Sequence, residues 1–310
     1  MTGPYVIRKS VNGEGNGLFA TRDIRTGETV VEKRPLVVID LNQGRFLPDG
    51  SLSLARIYDE WNRQLSDPKE RKDYLKLSHH DNDAQLAQNR KDTLTSNPDA
   101  GKVIAIWNNN CLGTGSHDLY SKISCRINHS CQKNATWGGN GEGFTVRAIR
   151  NIKKDEEVLI SYISLAQPRK MRSDQLRQGY GFDCDCPACG KEFDQLSDDR
   201  RKVMCSLNQK LPKVVEAAKL EKFDKVVRPE HVKLCEDMVG WLKQEPTMID
   251  EMFVKQELLA HLYRIEKKHS TASSMMQQAY EGARLCRGDG DEHTERIKYA
   301  LQGLESRLQS

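Results

Sequence analysis

The chain has 310 residues, 30% of them charged and 37% hydrophobic, with a formal net charge of +4 and nine cysteines. That length allows two domains and a sizeable core, the charge is too small to imply general nucleic-acid binding, and no apolar run approaches the ~20 residues that span a bilayer. The N-terminus, MTGPYVIRKS, lacks the apolar stretch of a secretory signal, so the nine cysteines point to a reducing compartment, where thiols bind metal or pack.

In chain order, residues 5–40 predict strands. Tyr5-Val6-Ile7 and Leu18-Phe19-Ala20 flank a turn at Gly13-Glu14-Gly15-Asn16-Gly17, and Thr29-Val30-Val31-Glu32 and Leu36-Val37-Val38-Ile39 are β-branched runs bounded by turn signals. Residues 52–96 change to polar, helix-like stretches until Asn97-Pro98-Asp99 breaks them. Val103-Ile104-Ala105-Ile106-Trp107 opens an apolar segment. Phe144–Ile149 and Val158–Ile163 return to strand character, and Gln167–Gln178 predicts a short basic helix. From about Leu196 onward only helical segments are expected, with breaks near Pro229, Pro246, His269 and Gly288, an arrangement that suits antiparallel helices on short connections. From Lys191 onward acids and bases balance, so the positive excess lies in the earlier part.

The cysteines carry the sharpest signal. Cys184, Cys186 and Cys189, in CDCPAC, cannot pair among themselves without severe strain. They can all face one metal ion. A fourth thiolate from a distant loop, Cys131 in Asn128-His129-Ser130-Cys131, would close a tetrahedral all-cysteine zinc site, structural because four thiolates leave no position for water. It would pin the segment near 180–190 against Asn128 and His129. Cys111, Cys125, Cys205, Cys235 and Cys286 have no metal spacing and are expected to pack.

Four motifs stand in order: GEGNGLFATRDI with Gly27-Glu28, RINHSC, EEVLISYISL and GYGFDCDCPAC. In this order they resemble the SET-domain lysine methyltransferases, and within them the SET-and-MYND type and its fungal relatives that lack the MYND finger. The resemblance covers residues 5–40 and 100–190, and residues 40–110 hold no cysteine that could build a MYND finger. It implies S-adenosylmethionine as methyl donor. It places Asn16, Leu18, Asn110, Asn128, His129 and Phe182 at the cofactor, with Asn108 and Asn109 offering other registers beside Asn110. It makes Tyr162 the catalytic phenol, with Tyr180 as a second aromatic of the lysine channel. It also makes Cys131, Cys184, Cys186 and Cys189 the zinc ligands of a post-SET segment. Two departures stand out. Glu14 occupies a place where the family often has a base, and Cys131-Gln132-Lys133-Asn134 replaces Cys-x-Pro-Asn, which predicts a looser turn.

The expected architecture is α+β: a β-rich SET core (1–42 and 101–165), a helical insertion (43–100), a zinc-bound post-SET segment (166–191) and an all-helical C-terminal domain (192–310). The expected function is methyl transfer from S-adenosylmethionine to a lysine of a protein substrate, histone or non-histone, in the nucleus and/or cytoplasm, with no direct nucleic-acid binding and no membrane. The alternative is a catalytically silent SET module that serves as a protein-binding scaffold.

Overall fold

A computed structural model describes residues 3–10, 15–43, 53–113, 117–139, 142–191, 193–211 and 229–309. Glu14 lies outside the described residues. The strands are β1 (Tyr5–Lys9), β2 (Asn16–Ala20), β3 (Thr29–Lys33), β4 (Val37–Asp40), β5 (Leu112–Gly113), β6 (His117–Tyr120), β7 (Asn128–His129), β8 (Ala135–Gly139), β9 (Phe144–Ala148) and β10 (Glu157–Ile160). They form three small sheets, in the orders β1-β2-β10-β7, β3-β9-β8 and β4-β6-β5.

Alternation explains the second sheet. Phe144, Val146 and Ala148 of β9 are buried, while Thr145 and Arg147 face the other way. The first sheet positions the site. β10 lies antiparallel to β2 on one side and parallel to β7 on the other, where Leu159 pairs with Asn128 and Ile160 with His129. Leu18, Val30, Phe144, Val146, Val158 and Ile160 share one core beneath these strands.

Four helices follow β4: α1 (Leu54–Gln64), α2 (Pro68–Tyr74), α3 (Asp83–Asp92) and α4 (Ala100–Asn110). Asp67 caps α2 by accepting from Lys69 N and Glu70 N, with Pro68 at the first helical position, and Asn82 and Gln85 close a capping box on α3. α4 is buried on nearly every side from Ala100 to Trp107, as expected of a helix lying inside a core. It packs with Ile57, Trp61, Tyr74 and Tyr120, and the buried Tyr74 hydroxyl donates to Val103 O at 2.9 Å.

After β10 no strand occurs among the described residues. α5 (Arg169–Tyr180) is the expected basic helix. Beyond it lie α6 (Gln195–Lys210), α7 (Pro229–Leu242), α8 (Ile249–Ile265), α9 (His269–Arg287) and α10 (Glu292–Gln309). α7 and α9 begin at the expected breaks, a short 3₁₀ turn starts at Pro246, and α9 ends at Gly288, φ 92°. Phe253, Leu259, Leu262, Met276 and Ala283 build the core of this helical part. Among the described residues no helix is long and apolar enough to cross a membrane. The strand expected to reach Ile163 stops at Ile160, because Ser161 turns the chain with its Oγ donating to Ile163 O at 2.7 Å.

Candidate active site

Tyr162 stands just past the end of β10. Its backbone N–H donates to His129 Nδ1 at 3.0 Å, and its hydroxyl donates to Ile127 O at 2.7 Å. Ile127 precedes and His129 ends the short strand that runs parallel to β10, so the pairing of Ile160 with His129 sets this geometry. Burial, and next the neighbouring Tyr180 ring, push the Tyr162 phenol well above its ordinary range. The phenol therefore stays protonated near neutral pH, with its proton committed to Ile127. The lone pairs left on its oxygen can accept an N–H.

Two more rings lie against it, and a third lies against one of these. The Tyr180 ring centroid lies 5.0 Å from that of Tyr162, and its hydroxyl donates to Tyr162 O at 3.2 Å. The His129 ring lies 5.3 Å from Tyr162 and 6.0 Å from Phe182. Gly181 makes this possible: it caps α5 in the left-handed region at φ 76°, and a Cβ there would meet the His80 ring at 2.4 Å.

Asn128, beside His129, donates through Nδ2 to Glu157 Oε1 at 2.7 Å and at 3.4 Å to Asn16 O. Glu157 is only 8% exposed and also accepts from Ser10 Oγ at 3.0 Å. A Cβ on Gly17 would stand 1.9 Å from Glu157 Oε1, so the glycine leaves room for this carboxylate. Glu157 is the site residue that sequence reasoning passed over; a charged residue opening an otherwise apolar strand was its one signal. Leu18 is fully buried in the strand core. Asn110 Nδ2 is turned to Ser78 O and Ile106 O, whereas Asn109 reaches the aromatic cluster, donating to Gly179 O at 2.7 Å and accepting from His80 N at 3.0 Å. Asn16, Asn128, His129, Tyr162, Tyr180 and Phe182 thus belong to one continuous group, while the Asn110 amide bonds elsewhere, to Ser78 O and Ile106 O.

The sulfurs of Cys131, Cys184, Cys186 and Cys189 lie within 4.8 Å of one another, and Cys131 and Cys189 are 3.5 Å apart. No disulfide joins them. A zinc ion with Zn–S bonds of about 2.3 Å would need sulfurs about 3.8 Å apart, so the four residues fit one tetrahedral ion. Their surroundings suit thiolates. Arg172 donates to Ala188 O at 2.9 Å and to Cys189 Sγ at 3.7 Å. Burial lowers His129 to about 4, so its imidazole is neutral. Nδ1 accepts from Tyr162, which leaves the ring proton on Nε2, 3.3 Å from Cys131 Sγ.

Lys133 corrects the expectation of a looser turn. Gln132 N donates to Ser130 Oγ at 3.0 Å, and fully buried Asn134 is locked between Leu159 N (2.8 Å) and Glu157 O (2.7 Å). The Lys133 side chain, 5% exposed, is ion-paired with Asp250 on α8, which also accepts from Thr136 Oγ1 at 3.0 Å. The residue standing in place of proline thus ties the strands to the C-terminal helices. Glu251 makes a second tie, accepting from Leu165 N at 2.9 Å and Ser164 Oγ at 3.3 Å. Beside the two ties opens a cleft of about 490 Å³, lined by Tyr162 and by Asp250, Glu251, Lys255 and Arg287.

Residues 15–163 match the family model described as SET domain. A SET and MYND domain-containing protein of Dictyostelium discoideum is 38% identical over 108 residues, 33% of this chain and 27% of its own length. Histone-lysine N-methyltransferase SMYD3 of Homo sapiens is 35% identical over 112 residues, 35% of this chain and 26% of its own length. N-lysine methyltransferase SMYD2 of Homo sapiens is 41% identical over 78 residues, 25% of this chain and 18% of its own length. The matched part is therefore less than a third of each relative. Among solved structures, the SET domain of LSMT bound to MeLysine and AdoHcy aligns over 99% of this chain and 88% of its own at 14% identity, with a TM-score of 0.41. Residues 15–163 thus carry a SET domain, and part of the chain is similar to the SET-and-MYND group.

Proposed function

We propose that this chain transfers a methyl group from S-adenosylmethionine to the side chain of a lysine in a protein substrate. The observation that carries the reading is Tyr162: its phenol proton is committed to Ile127 O, the His129 and Tyr180 rings lie against it, and Phe182 lies against His129. The amine must be neutral to attack. A lysine of ordinary pKa is about one part in a thousand neutral near pH 7.4, a handicap of roughly 4 kcal/mol. A wall of rings disfavours the charged form by desolvation, and the lysine proton leaves to water before transfer. The Tyr162 oxygen then accepts an N–H of the neutral amine and aims its lone pair, which suits an in-line displacement dominated by geometry.

Asn16, Asn128, His129 and Phe182 would hold the cofactor, with Leu18 behind them and Asn110, or Asn109 beside it, at the margin. The cofactor supplies the electrophilic methyl. Cys131, Cys184, Cys186 and Cys189 would hold a structural zinc ion that folds the post-SET segment over the rings. The names of the relatives include both a histone-lysine and a general lysine methyltransferase, so either kind of substrate fits.

The test is Tyr162→Phe in zinc-replete protein, with methyl transfer followed by labelled S-adenosylmethionine and cofactor affinity by calorimetry. The rate should fall by more than about tenfold, or the number of methyls added should change, with cofactor affinity retained. An unchanged rate and product would remove Tyr162 from this role. Failure of the parent protein to bind S-adenosylmethionine at micromolar concentration would favour a silent scaffold.

A further inference from the structure

The cleft beside Tyr162 holds charges that are unequally used. Its two acids are engaged by the protein. Asp250 Oδ2 receives Lys133 and Thr136, and Glu251 Oε1 receives Leu165 N and Ser164 Oγ. Its cations are less satisfied. Lys255, half-buried on α8 one turn beyond Glu251, has no hydrogen bond and no ion pair within 4 Å among the described residues. Arg287, at the end of α9, has one long ion pair, 3.7 Å to Asp291. With Lys133, Lys255 and Arg287 against Asp250 and Glu251, the lining is positive by one charge. One acceptor remains: Asp250 Oδ1 is buried and has no partner.

From this arrangement we infer that the cleft binds an acidic segment of the protein substrate next to its target lysine, with a glutamate or aspartate carboxylate received by Lys255 and Arg287. The inference rests on the methyl-transfer reading only in placing the lysine at Tyr162. Lys255 feels the charge of Glu251 one turn away but has no acid within pairing distance among the described residues, so an incoming carboxylate adds a pairing that is screened less inside a cleft than at the surface. Burial also holds the Lys255 ammonium below its ordinary range, a cost that a bound carboxylate would offset. Asp250 Oδ1 suits a backbone N–H of the same segment. A basic segment would bring its cations toward Lys255 and Arg287.

The test uses the full chain and three fluorescein-labelled peptides. Each has one central lysine, and they differ only in carrying glutamate, glutamine or arginine on either side of it. Binding is read by anisotropy, without methyl transfer. The glutamate peptide should bind at least about tenfold more tightly than the arginine peptide. Lys255→Glu should reverse that order, and Lys255→Met and Arg287→Gln should each shrink the preference at unchanged melting temperature. Equal or tighter binding of the arginine peptide to the parent protein overturns the inference. So does an order that Lys255→Glu leaves unmoved, or no binding of any of the three. A separate S-adenosylmethionine titration keeps the two readings apart. Cofactor binding without acidic preference overturns this inference alone, and acidic preference without cofactor binding overturns the enzyme reading alone.

Discussion

Gly17 and Glu157 show how much a single missing Cβ does at this site. Glu157 opens β10 as a nearly buried carboxylate, and its two oxygens are held by Asn128 and Ser10. Nothing in the GEGNGL and EEVLISY stretches says that these two residues meet; the antiparallel pairing of β2 with β10 brings them together. Gly17→Ala would force a Cβ to 1.9 Å from Glu157 Oε1 and 3.1 Å from Asn128 Nδ2. The carboxylate cannot retreat without giving up its partners, so overpacking should cost about 1–3 kcal/mol. The variant should melt several degrees lower, and its S-adenosylmethionine affinity should fall because Asn128 is displaced. Glu157→Asp in the same chain shortens the offending side chain and should recover part of the loss. A melting temperature unmoved by Gly17→Ala would show that the strands separate there at little cost, and Glu157 would not be a fixed part of the site.

At the scale of elements, legibility follows the range of the signal. The β-branched runs at 29–32 and 36–39 and the alternating 144–149 segment carry their own pattern, and they are strands. β5 and β7 are two residues each, too short for any periodicity, and β6 (HDLY) has no β-branched residue, so they exist only because a partner strand lies alongside. The apolar opening at Val103 left helix and strand open, and the all-round burial of α4 explains why no amphipathic pattern marked it. Lys133 was misread for a related reason: a local pattern showed a missing proline, whereas its partner lies 117 residues away on α8. That docking pair makes an asymmetric prediction. Lys133 is 5% exposed and Asp250 27%. Asp250→Asn would strand a buried ammonium, whereas Lys133→Met would leave a partly solvated carboxylate still bonded to Thr136. Stranding one partner of a fully buried pair costs about 3–5 kcal/mol, so with partial screening Asp250→Asn should cost about 2 kcal/mol or more and Lys133→Met clearly less. Thermal unfolding of both variants and the double variant measures this. Equal losses would mean that Lys133 reaches solvent when the pair opens.

For the whole molecule the cysteine cluster is the joint. Cys131 belongs to the loop after β7, while Cys184, Cys186 and Cys189 follow α5. Cys131 and Cys189 lie in one apolar cluster with Leu176 of α5, Met204 of α6, Met238 and Leu242 of α7 and Met248 before α8. Metal there would therefore hold strands, the segment 181–191 and the helical array in one arrangement. The metal free energy of an all-cysteine site is folding free energy only for what it organises. The sheets and the helical core draw their stability from separate apolar clusters. Stripping zinc with a strong chelator, or replacing Cys186 with serine, should thus leave far-UV circular dichroism nearly unchanged. It should release about one zinc per chain, open residues 181–191 to protease, and abolish S-adenosylmethionine binding as Phe182 and Tyr180 lose their backing. Re-addition of zinc should restore all three for the stripped parent protein and none for Cys186→Ser. If chelation released no zinc, and the cleavage pattern and cofactor affinity stayed as they were, the four sulfurs would be packing thiols. The rings around Tyr162 would then be held by α5 and by the Lys133 and Glu251 ties alone.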